Sequence, residues 1–306
     1  MQISKLITNF LEYLEVERGR SARTIRNYDF YLRRFQKWTK NPAPEKITSD
    51  MVSKYRLWLN RSVEGRAGDT LKKSTQNYHL IALRSFLKYL AKRDVPSLSP
   101  DKIELARQPI RSVEFLEVDE LERLLEAPRR VGSGLVALRD AAVLELLFST
   151  GMRVSELSNL KIEQINLKRD EFTVRGKGDK PRIVFLSSTA KDSLKAYLSK
   201  RRDMSEYLFV SHDRAKGGRD NAGPLTPRSI QRLVERYSKA AGITKHITPH
   251  TLRHTFATDL LMNGADIRSV QSLLGHASIT TTQIYTHITN KKMKEVHKKY
   301  HGKKRS

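Results

Sequence analysis

Six side chains in this sequence have the chemistry needed to attack a phosphodiester bond without a metal ion. In chain order they are Arg153, Lys177, His250, Arg253, His276 and Tyr285. A guanidinium group binds two non-bridging phosphate oxygens at once and stabilises the added charge on a five-coordinate phosphorus. Histidine and lysine side chains transfer protons, and a tyrosine hydroxyl is a nucleophile when a positive field and a proton acceptor lie nearby. The ordered set therefore predicts covalent attack on a phosphodiester.

Each of the two arginines also has a commoner interpretation. Arg153 precedes Glu156 by three positions, so a salt bridge between the two is an alternative to phosphate binding. Arg253 lies inside a predicted helix in apolar surroundings, where an ion pair is again the alternative. Phosphate binding is favoured only when both arginines are considered together with the other four residues.

The segment around Arg253 also carries two histidines. Pro249 can begin a helix, and His250 and Arg253, three positions apart, then project from the same face. His250 can accept the proton of the tyrosine or hold a phosphate oxygen. His254 makes an i, i+4 pair with His250, but no Glu follows His250 as it does in zinc proteases, and there is no cysteine. We therefore expect no metal site here and a structural role for His254.

His276 and Tyr285 lie at and after the end of a further predicted helix. His276 follows Gly275 and is placed to donate to a phosphate oxygen or to position Tyr285; the alternative is a histidine stabilised by the helix dipole. A tyrosine hydroxyl titrates near about 10, so Tyr285 needs strong activation to act as a nucleophile. Its alternative is an ordinary half-buried aromatic residue.

Lys177 stands between two glycines, at the tip of a predicted β-hairpin. A basic hairpin tip can enter a DNA groove and protonate a leaving 5′ oxygen. The alternative is a solvated turn, and Lys180 is a rival for the same role. Spacing alone does not choose between Lys177 and Lys180.

Composition favours a nucleic-acid partner. The 306 residues include 58 Lys and Arg against 33 Asp and Glu, a formal net charge of +25 that is spread along the chain. The absence of cysteine excludes disulfides, cysteine-ligated zinc and a cysteine nucleophile. There is no apolar run long enough for a membrane span and no signal-peptide pattern at the N-terminus, so we expect a cytoplasmic protein.

Hydrophobic periodicity predicts a helical bundle over residues 1–99. Four helices are expected, the second capped by Ser21, the third by Thr48 or Ser49, and the fourth by Ser74. Three prolines mark a linker at about residues 100–114. We predict a second, mixed α+β domain over 115–306.

In the second domain, helices are predicted at 117–126, 135–148, 189–201, 227–241, 249–263 and 267–274. Gly151 is expected to end the second of these in a left-handed conformation. The β-branched and aromatic runs 171–175 and 182–186 predict the β-hairpin. A polar loop follows at 213–223, and the tail 291–306 is strongly basic. The fold class predicted is therefore mainly α with a small antiparallel β-hairpin.

Taken in order, these motifs resemble those of the tyrosine recombinase (phage integrase) superfamily, and especially its compact Xer-type members. The matching segments are TGMRVSEL at 150–157, GKG at 176–178, HTLRHTFAT at 250–258, and LLGH at 273–276 followed by Tyr285. The family position that is sometimes Trp is His276 here. The resemblance covers nearly the whole chain, as a helical core-binding domain, a linker and a catalytic domain, without the additional arm-binding domain of larger phage integrases.

This resemblance implies a role for each residue of the set. Tyr285 would attack the scissile phosphate and form a 3′-phosphotyrosyl link. Arg153, Arg253 and His276 would hold the phosphate. Because the covalent link conserves the bond energy, no metal, ATP or other cofactor is expected.

The resemblance also implies how protons move and which partners assemble. Lys177 would be the general acid for the 5′ hydroxyl, and His250 would assist proton transfer. The expected partners are double-stranded DNA carrying an inverted-repeat site and three further protomers, either identical or paralogous, that exchange strands through a Holliday junction. No membrane or small-molecule substrate is expected. The segment after Tyr285 would contact a neighbouring subunit or DNA.

Three other functions remain to be separated from recombination. A type IB topoisomerase shares the chemistry but relaxes supercoils as a monomer. A DNA-binding protein without catalysis would not need Tyr285. A metal-dependent nuclease or transposase needs clustered carboxylates, whereas Asp259 and Asp266 are not paired in the sequence.

Overall fold

The computed structural model describes residues 2–65, 68–107, 114–176, 181–212 and 223–275. The chain divides into two compact units, Met1–Ile110 and Arg111–Ser306. The described residues are mainly helical and contain one two-stranded antiparallel sheet, which confirms the predicted fold class. No helix among them is both long and apolar enough to cross a membrane.

Several predictions concern residues outside those ranges. Among the six predicted site residues they are Lys177, His276 and Tyr285. Nearly all of the predicted polar loop at 213–223 and the whole basic tail at 291–306 also lie outside the described residues.

Within its described residues the first unit contains four α-helices, as predicted. They are α1 (Ile3–Val16), α2 (Ala22–Trp38), α3 (Ser49–Arg61) and α4 (Lys73–Ala91), with short 3₁₀ turns at Pro44–Lys46 and Pro100–Lys102. Their apolar faces meet in an aromatic-rich core, where the ring centres of Phe10 and Phe86 lie 5.7 Å apart. Arginine and lysine side chains occupy the outer faces.

Two of the three predicted helix caps in this unit are confirmed. The Ser21 and Thr48 side chains each accept a backbone N–H bond at the start of their helix. The prediction that Ser74 caps α4 is wrong, because α4 begins at Lys73 and Lys72 takes the N-cap position. Ser74 is already inside the first turn, since the Lys72 carbonyl accepts the first helical hydrogen bonds.

The second unit contains seven α-helices and the sheet within the described residues. They are α5 (Val118–Val131), α6 (Gly134–Thr150), α7 (Val154–Ser158), β1 (Glu171–Arg175), β2 (Pro181–Phe185), α8 (Ser188–Lys200), α9 (Pro227–Ala240), α10 (Pro249–Met262) and α11 (Ile267–Leu274). A 3₁₀ turn spans Ile162–Gln164. The strands form the predicted antiparallel pair, with Glu171 opposite Phe185 and Arg175 opposite Pro181.

Helix α6 is the centre of this unit. It is apolar on nearly every side and packs against α5, α8 and α10, as expected for a helix buried all round. It ends at Gly151, which has φ 56° and donates its N–H to the Leu147 carbonyl. The left-handed end predicted for Gly151 is therefore confirmed, and it turns the chain directly into Arg153.

Candidate active site

The left-handed turn at Gly151 lets two helices come unusually close. A Cβ atom at this position would overlap the ring of Phe256 on α10. Glycine is therefore required here both for the positive φ and for the close approach. Two residues later Arg153 takes the N-cap position of α7, which fixes its backbone at the surface of the core.

Arg253 joins three segments that are far apart in the sequence. It lies on α10, which begins at Pro249 as predicted, and its side chain is buried. Thr248 caps this helix, which the sequence reasoning did not predict. Its Nη1 donates to the Gly151 carbonyl at 2.6 Å, and its Nη2 donates to the Leu274 carbonyl at the end of α11. Arg253 thereby ties the end of α6 to the end of α11.

Arg153 reaches the same place from the other side. Its Nη2 donates to the Gly275 carbonyl, 3.2 Å away, in the residue that follows Leu274. The structure thus brings Arg153 and Arg253 together at the ends of α6 and α11. Gly275 itself is left-handed, with φ 61°, and directly precedes His276.

Glu156 forms the ion pair with Arg153 that was the alternative interpretation. Arg153 Nη1 lies 2.8 Å from Glu156 Oε1, and the Arg153 backbone N–H donates to Oε2 at 2.8 Å. The same carboxylate is held by both terminal nitrogens of Arg182, at 2.9 and 2.7 Å. The ion pair and a phosphate-binding role are compatible, because one carboxylate is shared by two guanidinium groups.

The charge state of Glu156 follows from these contacts. Burial would raise the pKa of Glu156, but the hydrogen bonds from Arg182 and Arg153 outweigh it, so the pKa is lowered. Glu156 is therefore ionised at neutral pH. One negative charge beside Arg153 and Arg182 leaves an excess of one positive charge before Arg253 is counted.

His250 lies in the first turn of α10, three positions before Arg253. Its side chain is accessible to solvent. Partial burial and the positive charges of Arg253 and Arg153 lower the pKa of His250. A neutral imidazole in this position can accept a proton at neutral pH.

His254 lies one turn further along α10 and is half-buried. Burial, followed by the charges of His250 and Arg253, lowers the pKa of His254 to about 4. Among the described residues there is no cluster of three or more His, Asp or Glu side chains arranged to hold a metal ion. The positive charges of Arg153 and Arg253 beside these two histidines favour an anion over a cation.

Arg182 is the residue of this site that the sequence reasoning missed. It lies on β2, on the same face as the buried Val184, while Ile183 and Phe185 between and beyond them are about half exposed. An arginine on the buried face of an alternating strand signals a partnered charge. That signal was present in the sequence, but the sequence did not show that the partner of Arg182 is Glu156, 26 positions away.

Family models match both units of the chain. The model described as "Phage integrase family" matches residues 114–292, and the one described as "Phage integrase, N-terminal SAM-like domain" matches residues 7–94. The three segments that meet at Arg253 all lie within the first of these matches.

Curated relatives align over almost the full length. The chain is 39% identical to "Tyrosine recombinase XerC" of Thermodesulfovibrio yellowstonii over 96% of this chain and 95% of that protein. It is 36% identical to "Tyrosine recombinase XerD" of Listeria innocua over 98% and 99%. The solved structure of XerH recombinase bound to palindromic difH substrate in a post-cleavage complex is 26% identical with a TM-score of 0.72, over 91% of this chain and 80% of that one.

Proposed function

Because the chain belongs to the phage integrase family of tyrosine recombinases, we propose that it is a site-specific recombinase that cuts and rejoins duplex DNA. The observation that carries this proposal is the meeting of Arg153 and Arg253 at the ends of α6 and α11. It places two guanidinium groups, with excess positive charge, beside the residue that precedes His276. That arrangement fits one phosphate group.

We assign the chemistry of strand cleavage to the six residues of the set. The Tyr285 hydroxyl oxygen attacks the phosphorus, the P–O5′ bond breaks, and the 3′ phosphate becomes joined to the tyrosine. Arg153, Arg253 and His276 bind the non-bridging oxygens and stabilise the five-coordinate transition state. The arginine forks supply this charge without a metal ion.

Proton transfer accompanies both strand cleavage and rejoining. His250 receives the proton that the tyrosine loses, directly or through water, which its lowered pKa permits. Lys177 gives a proton to the leaving 5′ oxygen. Rejoining is the reverse: a 5′ hydroxyl attacks the phosphotyrosine and the tyrosine leaves, so the bond energy is retained and no ATP is consumed.

The number of protomers follows from the number of DNA strands. Two duplexes have four strands to cut and rejoin, so one protomer per strand gives a tetramer working through a Holliday junction. The relatives include both XerC and XerD recombinases. This supports either a homotetramer or a heterotetramer with a paralogue. We propose a role in resolving chromosome or plasmid dimers, or in moving a mobile element, and therefore a cytoplasmic location.

A trapping experiment tests the proposal. A duplex carrying the cognate site, selected from genomic fragments, is nicked so that cleavage releases a short strand and cannot be reversed. Incubation in EDTA followed by a denaturing gel should give a covalent protein–DNA adduct, with the DNA attached to Tyr285 by peptide mapping. Tyr285→Phe should bind the same DNA and give no adduct.

The remaining outcomes separate the alternatives. Robust cleavage by Tyr285→Phe would contradict the nucleophile assignment, and cleavage lost in EDTA would favour a metal-dependent nuclease. Adduct formation without exchange of flanking DNA between two sites would favour a topoisomerase.

A further inference from the structure

Arg182 makes contacts that neither the family motifs nor the proposed chemistry uses. It lies on β2, five positions after Lys177 in the sequence, and its side chain is only 8% exposed. Its Nη1 and Nη2 hold the two oxygens of Glu156, and its Nε donates to the Leu273 carbonyl at 3.1 Å. One side chain thus connects the hairpin to α7 and to the end of α11.

The contact with α11 is close as well as polar. A Cβ atom at Gly275 would lie 2.9 Å from the Cδ atom of Arg182. Gly275 is the residue whose carbonyl accepts from Arg153, and it directly precedes His276. The Arg182 side chain therefore packs along the turn that leads into the third segment of the site.

The two-pronged contact between Arg182 and Glu156 also limits how the Arg153 guanidinium can bind Glu156. A carboxylate and a guanidinium prefer a two-pronged pair, in which both terminal nitrogens face both oxygens. Because Arg182 already holds Glu156 in that way, the Arg153 guanidinium donates only Nη1 to the carboxylate, beside the Arg153 backbone N–H, and its Nη2 is directed to Gly275. Without Arg182, Glu156 would be available for a two-pronged pair with Arg153.

We propose that Arg182 is a positioning residue that occupies Glu156 and so keeps the Arg153 fork directed at the scissile phosphate. This inference rests on the proposed function, since it assigns Arg153 to the phosphate. Loss of Arg182 turns Glu156 from a shared ligand into a competitor of the phosphate for Arg153. It also removes the positive charge that balances Glu156 next to the reaction.

The test measures the single-turnover rate of adduct formation on the nicked substrate at saturating protein. Arg182→Ala should lower this rate by about tenfold or more, since small misplacements of a binding group slow chemistry strongly. DNA affinity, measured separately, should change by less than about threefold because Arg182 is buried and is not assigned to DNA. Arg182→Lys should fall between, because one ammonium group cannot hold both oxygens in a fork.

A second substitution distinguishes competition from simple loss of structure. Arg182→Ala combined with Glu156→Gln should cleave faster than Arg182→Ala alone, because the amide does not compete for Arg153 as the carboxylate does. A purely structural role predicts that the double variant is as slow as, or slower than, the single one. Where Arg182→Ala does not fold, Arg182→Lys with and without Glu156→Gln gives the same comparison.

Arg201→Ala is the matched control. Arg201 is a similarly buried arginine, 4% exposed and paired with Asp203, and its hydrogen bonds within the described residues go to Asp203, Ser205, Tyr207 and Leu208, none of which belongs to the site. Its folded fraction should cleave at the wild-type rate. This control separates the effect of losing a buried arginine from the effect of losing Arg182.

The results distinguish failure of this inference from failure of the proposed function. If the wild-type chain forms no Tyr285 adduct, the proposed function fails and this inference fails with it. If the wild-type chain cleaves and Arg182→Ala cleaves equally fast, or if adding Glu156→Gln leaves the single variant as slow as before or slower, only the positioning role is overturned.

Discussion

Two buried arginine–carboxylate clusters in the second unit differ in how completely they are closed. In the first, Arg201 uses all five of its N–H groups inside the protein. Two bind Asp203, and three donate to backbone carbonyls, those of Ser205, Tyr207 and Leu208. Such a cluster has no donor left for a ligand, so its effect is on stability.

The second cluster has two arginines for one carboxylate. Glu156 is 6% exposed and Arg182 is 8% exposed, but the Arg153 side chain is 25% exposed. Among the described residues, Arg153 uses two of its five guanidinium N–H groups. Donors in excess of acceptors at an accessible edge are what an anion-binding site requires, so the count of donors and acceptors distinguishes a structural cluster from a functional one.

Removing the closed cluster should give the largest effect on stability. Arg201→Ala leaves the buried Asp203 carboxylate without its partner, which costs about 3–5 kcal/mol of unfolding free energy. Urea denaturation measures this loss. Cleavage by the folded fraction should be unchanged, and a loss of less than about 1 kcal/mol would show that water replaces the arginine without difficulty.

Removing Arg153, the accessible arginine of the second cluster, should have a small effect on stability and a large effect on cleavage. Arg153→Ala leaves Glu156 still held by both nitrogens of Arg182, so stability should fall by about 1 kcal/mol. Single-turnover cleavage should fall by about a hundredfold or more, the usual effect of losing one donor to a transition-state oxyanion. If Arg153→Ala destabilised the chain as much as Arg201→Ala while cleavage remained rapid, the distinction between the two clusters would be lost.

A backbone substitution affects the second cluster without touching a charge. Gly151→Ala forces an L-residue to adopt φ 56° and places its Cβ against the Phe256 ring, so we expect a destabilisation of about 2 kcal/mol. Because the Gly151 carbonyl accepts from Arg253, cleavage should fall as well. Thermal denaturation and the adduct assay measure the two effects, and Gly242→Ala, at another positive-φ glycine with open space around it, is the control.

Local features of this fold were predictable from the sequence, because they depend on neighbours in the chain. The caps at Ser21 and Thr48, the helix start at Pro249 and the left-handed end at Gly151 each rest on hydrogen bonds spanning a few positions. The cap at Ser74 was wrong because side-chain type does not decide which carbonyl accepts the first helical bond. The predicted domain limits and the roles of the six site residues stay predictions.

Contacts within the site were not predictable in the same way. The bonds from Arg253 to Gly151 and from Arg182 to Leu273 join residues 102 and 91 positions apart. Periodicity fixes the face on which a side chain lies, but not the carbonyl it reaches across the fold. The ordering of motifs indicated that these segments meet. That Arg153 and Arg182 share the carboxylate of Glu156 could be seen only in the structure.

Acid pH should change the stability contributed by the candidate site and by the Arg201–Asp203 cluster differently. This is the smallest of the four predicted effects. Burial would raise the pKa of Asp203, but Arg201 and backbone N–H groups outweigh it, so the pKa is lowered. The stabilisation from that lowered pKa is present above the ordinary aspartate pKa of about 3.8 and is lost only as the pH falls below it. His254 behaves differently, because burial and the charges of His250 and Arg253 lower its pKa to about 4.

Since the folded chain binds the His254 proton less readily than the unfolded chain, stability should fall as the pH is lowered from about 6.5 towards about 4. Allowing for partial exposure of the ring, the contribution at pH 5 is about 1 kcal/mol. Urea denaturation of the wild-type chain and His254→Gln at pH 7 and pH 5 measures it as a difference, which cancels the other histidines. If both proteins lost the same stability between these pH values, His254 would have an ordinary pKa, and the positive field at the site would be weaker than its two arginines indicate.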